Sequence, residues 1–225
     1  VHKRKSAADL AYEQLKDNIV EWVYPPSLPL REEHLSNDLQ ISRTPLRQAL
    51  YRLELEGLVL KRQNGRMIVA PITLQEAREV FQVRERLESL VAREAAEHMT
   101  KEHLYRLEDV VALMRRAVDT KRSDEIVKHG EHFHHILHTL SSNETNKRFL
   151  QQLQNKIDRY RRISGYKNPD YPLQMPVDEH EQILQLLKEK KTGMEVEEAM
   201  RAHIRRSLVT IEETIAQYAR RNGGP

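Results

Sequence analysis

The stretch "GEHFHHILH", Gly130 to His138, holds four histidines, and His129 precedes it. A neutral imidazole can ligate a divalent metal or sit as a hydrogen-bonded core residue, so the faces these side chains take decide their chemistry. Successive helical residues turn by about 100°. On a helix over 123–141 the apolar stripe is Ile126, Phe133, Leu137 and Leu140, widened by Ile136. His129 falls inside that stripe and His134 at its margin. His132 and His135 point further away. His138 follows His134 by one turn but lies further from the apolar centre. An i,i+4 pair such as His134 and His138 is common on helix surfaces and makes no metal site by itself. Two distant histidines extend the case. In "VDEHEQILQLL", His180 aligns with Ile183, Leu184 and Leu187. In "EEAMRAHIRRSLVTI", His203 sits beside the stripe of Met200, Ile204, Leu208 and Ile211, with the small Ala199 and Ser207 next to it. Three inward histidines from three helices have the chemistry to hold zinc, nickel, cobalt or iron, with open positions for water or a ligand oxygen. Their convergence is not given by spacing.

A second set of residues is suited to nucleic acid. In "SRTPLRQALYRLELEG", Ser42 is placed to cap a helix over 43–56, and Pro45 is tolerated in its first turn. Leu46, Ala49, Leu50 and Leu53 form the buried stripe, so Arg43, Thr44 and Arg47 face elsewhere at the starting end. That is the end from which a recognition helix reads base edges in the major groove, and arginine suits both guanine and phosphate. Two short strand-prone runs flank Asn64-Gly65, a strong hairpin signal, with Lys61, Arg62 and Arg66 around the turn.

These residues need elements to hold them. Helices are expected over 7–21, 31–39 and 43–56, the hairpin over 58–70, and further helices over 74–98, 101–119, 123–141, 143–163, 176–190 and 195–220. This gives a mainly α protein of two parts. Residues 1–71 are expected to form a winged helix-turn-helix with a small β-hairpin wing, and residues 72–225 an all-α bundle of six or seven helices. The 225 residues contain no cysteine, which excludes disulfides and thiolate zinc sites. A net charge of +3 and a pI near 9.0 agree with a nucleic-acid partner without requiring one. With no apolar run long enough for a membrane span and no signal peptide visible at the start, no membrane partner and a cytoplasmic location are expected.

"ISRTPLRQALYRLELEGLV", residues 41–59, resembles the winged helix-turn-helix of GntR-family transcriptional regulators. The resemblance implies that Arg43, Thr44 and Arg47 contact operator DNA and that Gly65 sits at the wing tip, with Arg62 and Arg66 beside it. The chain departs from the family pattern at Glu21-Trp22, Pro26-Ser27 and Glu33. Residues 74–220 resemble the helical ligand-binding domain of the FCD subfamily, named after a fatty-acid regulator. The matching pieces are "VRERLESLVAREAAEHM" with Arg84 and Glu88, "FHHILHTLSSNETNKRFL" with Phe133, His134 and Asn143, "DEHEQIL" with His180, and "MRAHI" with His203. The resemblance implies a divalent metal, zinc or nickel, held by His134, His180 and His203 together with an aspartate one turn before His134. This chain has Gly130 there. His129 or Glu131 could substitute only if the helix or side chain shifted. Arg84 is expected to grip an organic-acid effector, the alternative being a solvated i,i+4 pair with Glu88.

The expectation is therefore a DNA-binding transcriptional repressor, not an enzyme. A homodimer on a palindromic operator would respond to a small carboxylate at or near the metal. Two alternatives remain: a regulator with the ion itself as effector, and a metal-dependent hydrolase using Glu131 or Glu179 as base. "HEXXH" is absent, and a hydrolase would leave the N-terminal motif without a role.

Overall fold

The computed structural model describes residues 5–221 and divides into two compact units, one up to Ile72 and one from Thr73.

The first unit contains α1 (Ala7–Val20), β1 (Pro29–Leu30), α2 (Glu32–Asp38), α3 (Arg43–Leu55), β2 (Val59–Lys61) and β3 (Met67–Val69). α1 opens with a capping box in which Ser6 and Asp9 satisfy each other's backbone N–H. Its core is Ala11, Leu15 and Ile19 from α1, Leu35 from α2, the expected Leu46, Ala49, Leu50 and Leu53 of α3, and Val59 and Val69 from the strands. Ser42 stands at the N-cap of α3 but makes no side-chain cap bond. The reason lies in the chain itself. A capping hydroxyl normally accepts from the second or third helical N–H, and the third residue here is Pro45, which has none. At the other end Gly57 adopts φ +69 and forms a Schellman closure, with Leu58 N–H on Leu53 O at 2.9 Å and Gly57 N–H on Glu54 O at 3.0 Å. Where the family pattern often has glycine after the first helix, Trp22 holds the same left-handed backbone at φ 61.

The wing differs from a plain hairpin. β1 pairs antiparallel with β3, giving a three-stranded sheet in the order β1-β3-β2. The turn is not a two-residue type I′, because only Gly65 has a positive φ, of 77, and Asn64 does not. Arg62 N–H donates to Arg66 O, Gly65 N–H donates to Arg62 O, and the Asn64 side chain accepts from Arg66 N–H.

The second unit is built of α4 (Leu74–His98), α5 (Lys101–Asp119), α6 (Ser123–Leu140), α7 (Glu144–Lys167), α8 (Gln174–Lys188) and α9 (Gly193–Arg221). Thr73, Thr100 and Asn143 cap α4, α5 and α7 with their side-chain oxygens. α4 packs chiefly on α9, and α6 lies against α4, α5 and α7. Phe81, Leu107, Met114, Phe133, Ile136, Leu137, Ile163, Ile183, Met200 and Ile211 fill the interior. α6 and α7 approach closely at Gly165, where an added Cβ would meet Val127 Cγ2 at 2.5 Å and Ser123 O at 3.3 Å. Among the described residues no helix is long and apolar enough to cross a membrane.

Candidate functional site

His134 of α6, His180 of α8 and His203 of α9 meet inside the second unit. One ring nitrogen from each lies within 4.8 Å of the others, and all three residues are buried. Phe133 is the neighbour of His134 in sequence, and it supports His180 edge to face at a ring separation of 4.8 Å. The three rings are oriented from behind. His134 Nδ1 faces Glu88 Oε2 at 3.2 Å, His180 Nδ1 faces the Pro176 carbonyl at 2.6 Å, and His203 Nδ1 faces Glu179 Oε2 at 2.6 Å. Each acceptor calls for an Nδ1–H donor, which leaves each Nε2 with a lone pair. His134 Nε2 and His203 Nε2 then stand 3.2 Å apart with lone pairs opposed. His180 Nε2 is buried without a hydrogen-bond partner.

The buried surroundings keep the imidazoles neutral. Burial is the main cause, and the nearby Arg84 and Arg161 guanidiniums add to it. Together they bring His134 down to about 3 and hold His180 and His203 well below the usual histidine range. Arg84 is 1% exposed. Its Nε donates to Glu88 Oε1 at 3.4 Å, its Nη2 reaches His134 Nε2 at 3.3 Å, and its Nη1 has no partner. The Arg84–Glu88 pair does form, but deep in the bundle and not on a solvated face. Burial opposes the charge on Glu88, yet its contacts with His134 and with His138 Nε2 at 2.9 Å hold it well below the ordinary carboxylate range.

Beside the histidines is an open cavity of ≈ 890 Å³, lined in part by Arg84, His134, Arg161, Lys128 and Lys147. Four cationic side chains and two carboxylates, Glu88 and Glu131, border it. The charge at its border is therefore positive on balance.

The other expected residues fall elsewhere. His129 is half-buried and outside the trio, and Glu131 accepts from Arg162 Nη2 at 3.3 Å, so neither substitutes for the missing carboxylate. His132 and His135 are exposed. In the first unit, Arg43, Thr44 and Arg47 are exposed at the start of α3, and Arg62, Gly65 and Arg66 are exposed at the wing turn. Arg47 Nε is engaged by Glu32 Oε2 of α2 at 2.9 Å, on the surface. Nothing lies within 4 Å of where a Gly65 Cβ would be.

Residues 79–206 match the family description "FCD domain", and residues 7–69 match "Bacterial regulatory proteins, gntR family". The chain belongs to the GntR family of transcriptional regulators, FCD type. The regulator is 29% identical over 213 residues to the HTH-type transcriptional repressor RspR of Escherichia coli K12, across 94% of this chain and 90% of the relative. It is 26% identical over 196 residues to the Nta operon transcriptional regulator of Aminobacter aminovorans, across 87% and 90%. Among solved structures, E. coli McbR/YncC shares the fold at a TM-score of 0.76 and 19% identity, over 96% of the regulator and all of the other chain. A GntR regulator from Rhodococcus sp. RHA1 does so at 0.74 and 17%, over 92% and 98%. The regulator therefore binds DNA, and members of its family bind operators and typically act as dimers.

Three residues of the regulator's sites escaped the sequence reading. Arg31 borders the same concavity as Arg62, Gly65 and Arg66, and only β1 pairing beside β3 brings it there. Glu179 was considered only as a hydrolytic base, whereas it orients His203 and is itself bound by Arg206. Arg161 lines the cavity from α7. No histidine pattern points to it, since it lies in the run Arg159-Tyr160-Arg161-Arg162, which looks like a helix surface.

Proposed function

We propose that the regulator is a ligand-responsive repressor whose second unit binds a small carboxylate at or near a divalent metal held by His134, His180 and His203. The observation that carries this reading is the arrangement of the ring nitrogens. All three Nδ1 atoms are committed to acceptors behind the rings, which leaves the lone pairs on Nε2, two of them 3.2 Å apart, with Arg84 Nη2 3.3 Å from that of His134. Zinc with bonds of ~2.0–2.1 Å holds tetrahedral ligand nitrogens about 3.4 Å apart, close to that separation. Without a cation, opposed lone pairs and the orphaned His180 Nε2 are both unfavourable. Zinc or nickel suits three imidazoles, and it would supply a positive centre for an effector carboxylate while Arg84 offers its free Nη1.

On the DNA side, Arg43, Thr44 and Arg47 read bases in the major groove, while Arg62 and Arg66 beside Gly65 hold phosphates or the minor groove with Arg31. A homodimer places two such helices on the halves of a palindromic operator. Ligand binding then shifts the population between states of different operator affinity. Repression is supported by the description of RspR as a repressor.

The test uses protein purified without chelator. Metal analysis should find about one zinc or nickel per chain. His180→Gln should lose that metal and the release of the regulator's own upstream DNA by added organic acids, while still binding the DNA. Equal metal content in the two proteins overturns the proposal.

A further inference from the structure

The outward face of α3 extends beyond the residues at its starting end. Leu46, Ala49, Leu50 and Leu53 hold the helix to the first unit's core. At about 100° per residue, the direction opposite to that core falls between Thr44 and Gln48, with Tyr51 and Leu55 on the same line. All four are exposed, Tyr51 at 59% and Leu55 at 70%. Arg47 lies about 70° to one side of that direction and Arg52 about 70° to the other. Each is taken by a neighbouring helix. Arg47 Nε donates to Glu32 Oε2 of α2 at 2.9 Å. Arg52 Nη1 donates to Asp9 Oδ1 of α1 at 2.9 Å, and its guanidinium stands over the Tyr12 ring at 3.8 Å. Gln48 stands between the two arginines, and among the described residues its side chain has no hydrogen-bond partner.

Gln48 also sits at a useful depth. Its place in the chain puts it about 7.5 Å along α3 from Arg43, at 1.5 Å per residue. The major groove is roughly 8.5 Å deep, so a helix that enters by its starting end brings its second turn to base edges. Tyr51, about 12 Å along, falls at the rim, and Leu55 lies beyond it. The end group is selective. A carboxamide offers an acceptor oxygen and an NH2 donor, which match the N6 amino group and N7 of adenine. Guanine presents two acceptors there, cytosine a donor, and thymine an acceptor beside a methyl group. Being uncharged, the carboxamide displaces no counterion from phosphate.

We infer that Gln48 is a base-reading residue, and that the operator of this regulator carries in each half-site an adenine that Gln48 grips by N6 and N7. The inference rests on the reading of α3 as the recognition helix and is independent of any metal. It divides the work on one helix face. Arg43 and Arg47 suit guanine and phosphate, and their charge makes binding depend on salt, whereas Gln48 discriminates between bases without adding to that dependence.

The test lets full-length regulator select sites from randomised duplex DNA at fixed salt. Wild type should prefer adenine at one position of each half-site by roughly 5- to 150-fold, the discrimination of a bidentate contact. Gln48→Ala should lose that preference, keep the rest of the site, and show the same slope of affinity against salt. Gln48→Glu can only accept, so its preference at that position should move to cytosine. In a shift assay, 7-deazaadenine at that position removes the N7 acceptor. It should weaken wild type and leave Gln48→Ala unmoved. The side chain at 48 is exposed, so these variants keep the core of α3 intact. Identical selected sites from wild type and Gln48→Ala overturn the inference, as does a loss of affinity in Gln48→Ala that is uniform over all sequences. If Arg43→Ala and Arg47→Ala also select the wild-type site, the recognition-helix reading falls with it.

Discussion

Acidifying the metal-free regulator from about pH 8 to about pH 5.5 should destabilise its second unit by about 3 kcal/mol. His134 titrates near about 3 in the fold and His180 and His203 lie well below the ordinary value, whereas each returns to 6.5 when the chain unfolds. The folded value is the lower one, so the unfolded chain takes up protons that the folded chain refuses. The stability is complete above the unfolded value and drains away as pH falls through it. One unit below 6.5, each such histidine costs about 1.4 kcal/mol, and three cost about 4 kcal/mol. Asp158 opposes this. Burial and the neighbouring Glu131 raise its carboxyl from 3.8 to about 6, so the fold gains a proton first. That returns about 0.8 kcal/mol at the same pH, which leaves the histidines dominant. Urea unfolding in chelator separates the units. Trp22 is the single tryptophan and lies in the first unit, so its emission follows that unit, while helical circular dichroism follows mainly α4 to α9. With a slope of roughly 2 kcal/mol per molar urea, the dichroism midpoint should fall by about 1.5 M. His180→Gln should shrink the drop by about two fifths. An unmoved midpoint, or an undiminished drop in the variant, refutes the reasoning.

Three further outcomes are expected. Glu32→Gln releases Arg47 from an exposed pair worth about 0.2–1 kcal/mol, so operator affinity in a shift assay should rise by up to about fivefold, most clearly at low salt. Lys190 closes α8 with a left-handed backbone at φ 53, and Lys190→Gly should raise stability in thermal melts by about 1 kcal/mol, because glycine adopts that conformation without strain. Gly165→Ala should instead lower it by about 1–3 kcal/mol despite better helix propensity, because the new methyl overlaps Val127 between α6 and α7.

Long amphipathic segments were the legible part of the fold. The expected helices over 74–98 and 101–119 coincide with α4 and α5, since a sustained stripe and a threonine cap mark both body and start. β1 was not legible. It is two residues long, begins at Pro29, and exists only because β3 lies beside it. The trio His134, His180 and His203 could be named because each lay on or beside an apolar stripe. Its supporting groups could not, because they depend on how helices cross. His138 looked peripheral to its own helix yet reaches Glu88 on α4, and Arg84, expected at an effector with a solvated Glu88 pair as the alternative, makes that pair buried and beside His134. Gly130 drew notice as a missing carboxylate, but only the packing of α7 shows that a guanidinium stands next to the gap.

The order in which the chain is made has a consequence for its behaviour. The first unit, with its own core, is complete at Ile72, whereas the last of the three histidines comes at position 203, on the final helix. Domains generally fold in turn as they leave the ribosome. A newly made or C-terminally clipped chain therefore carries its DNA-reading surface before, or without, the pocket formed by α6, α8 and α9. Proteolysis between the two units would leave a fragment that keeps the first unit's core and exposed arginines but lacks the histidine cluster.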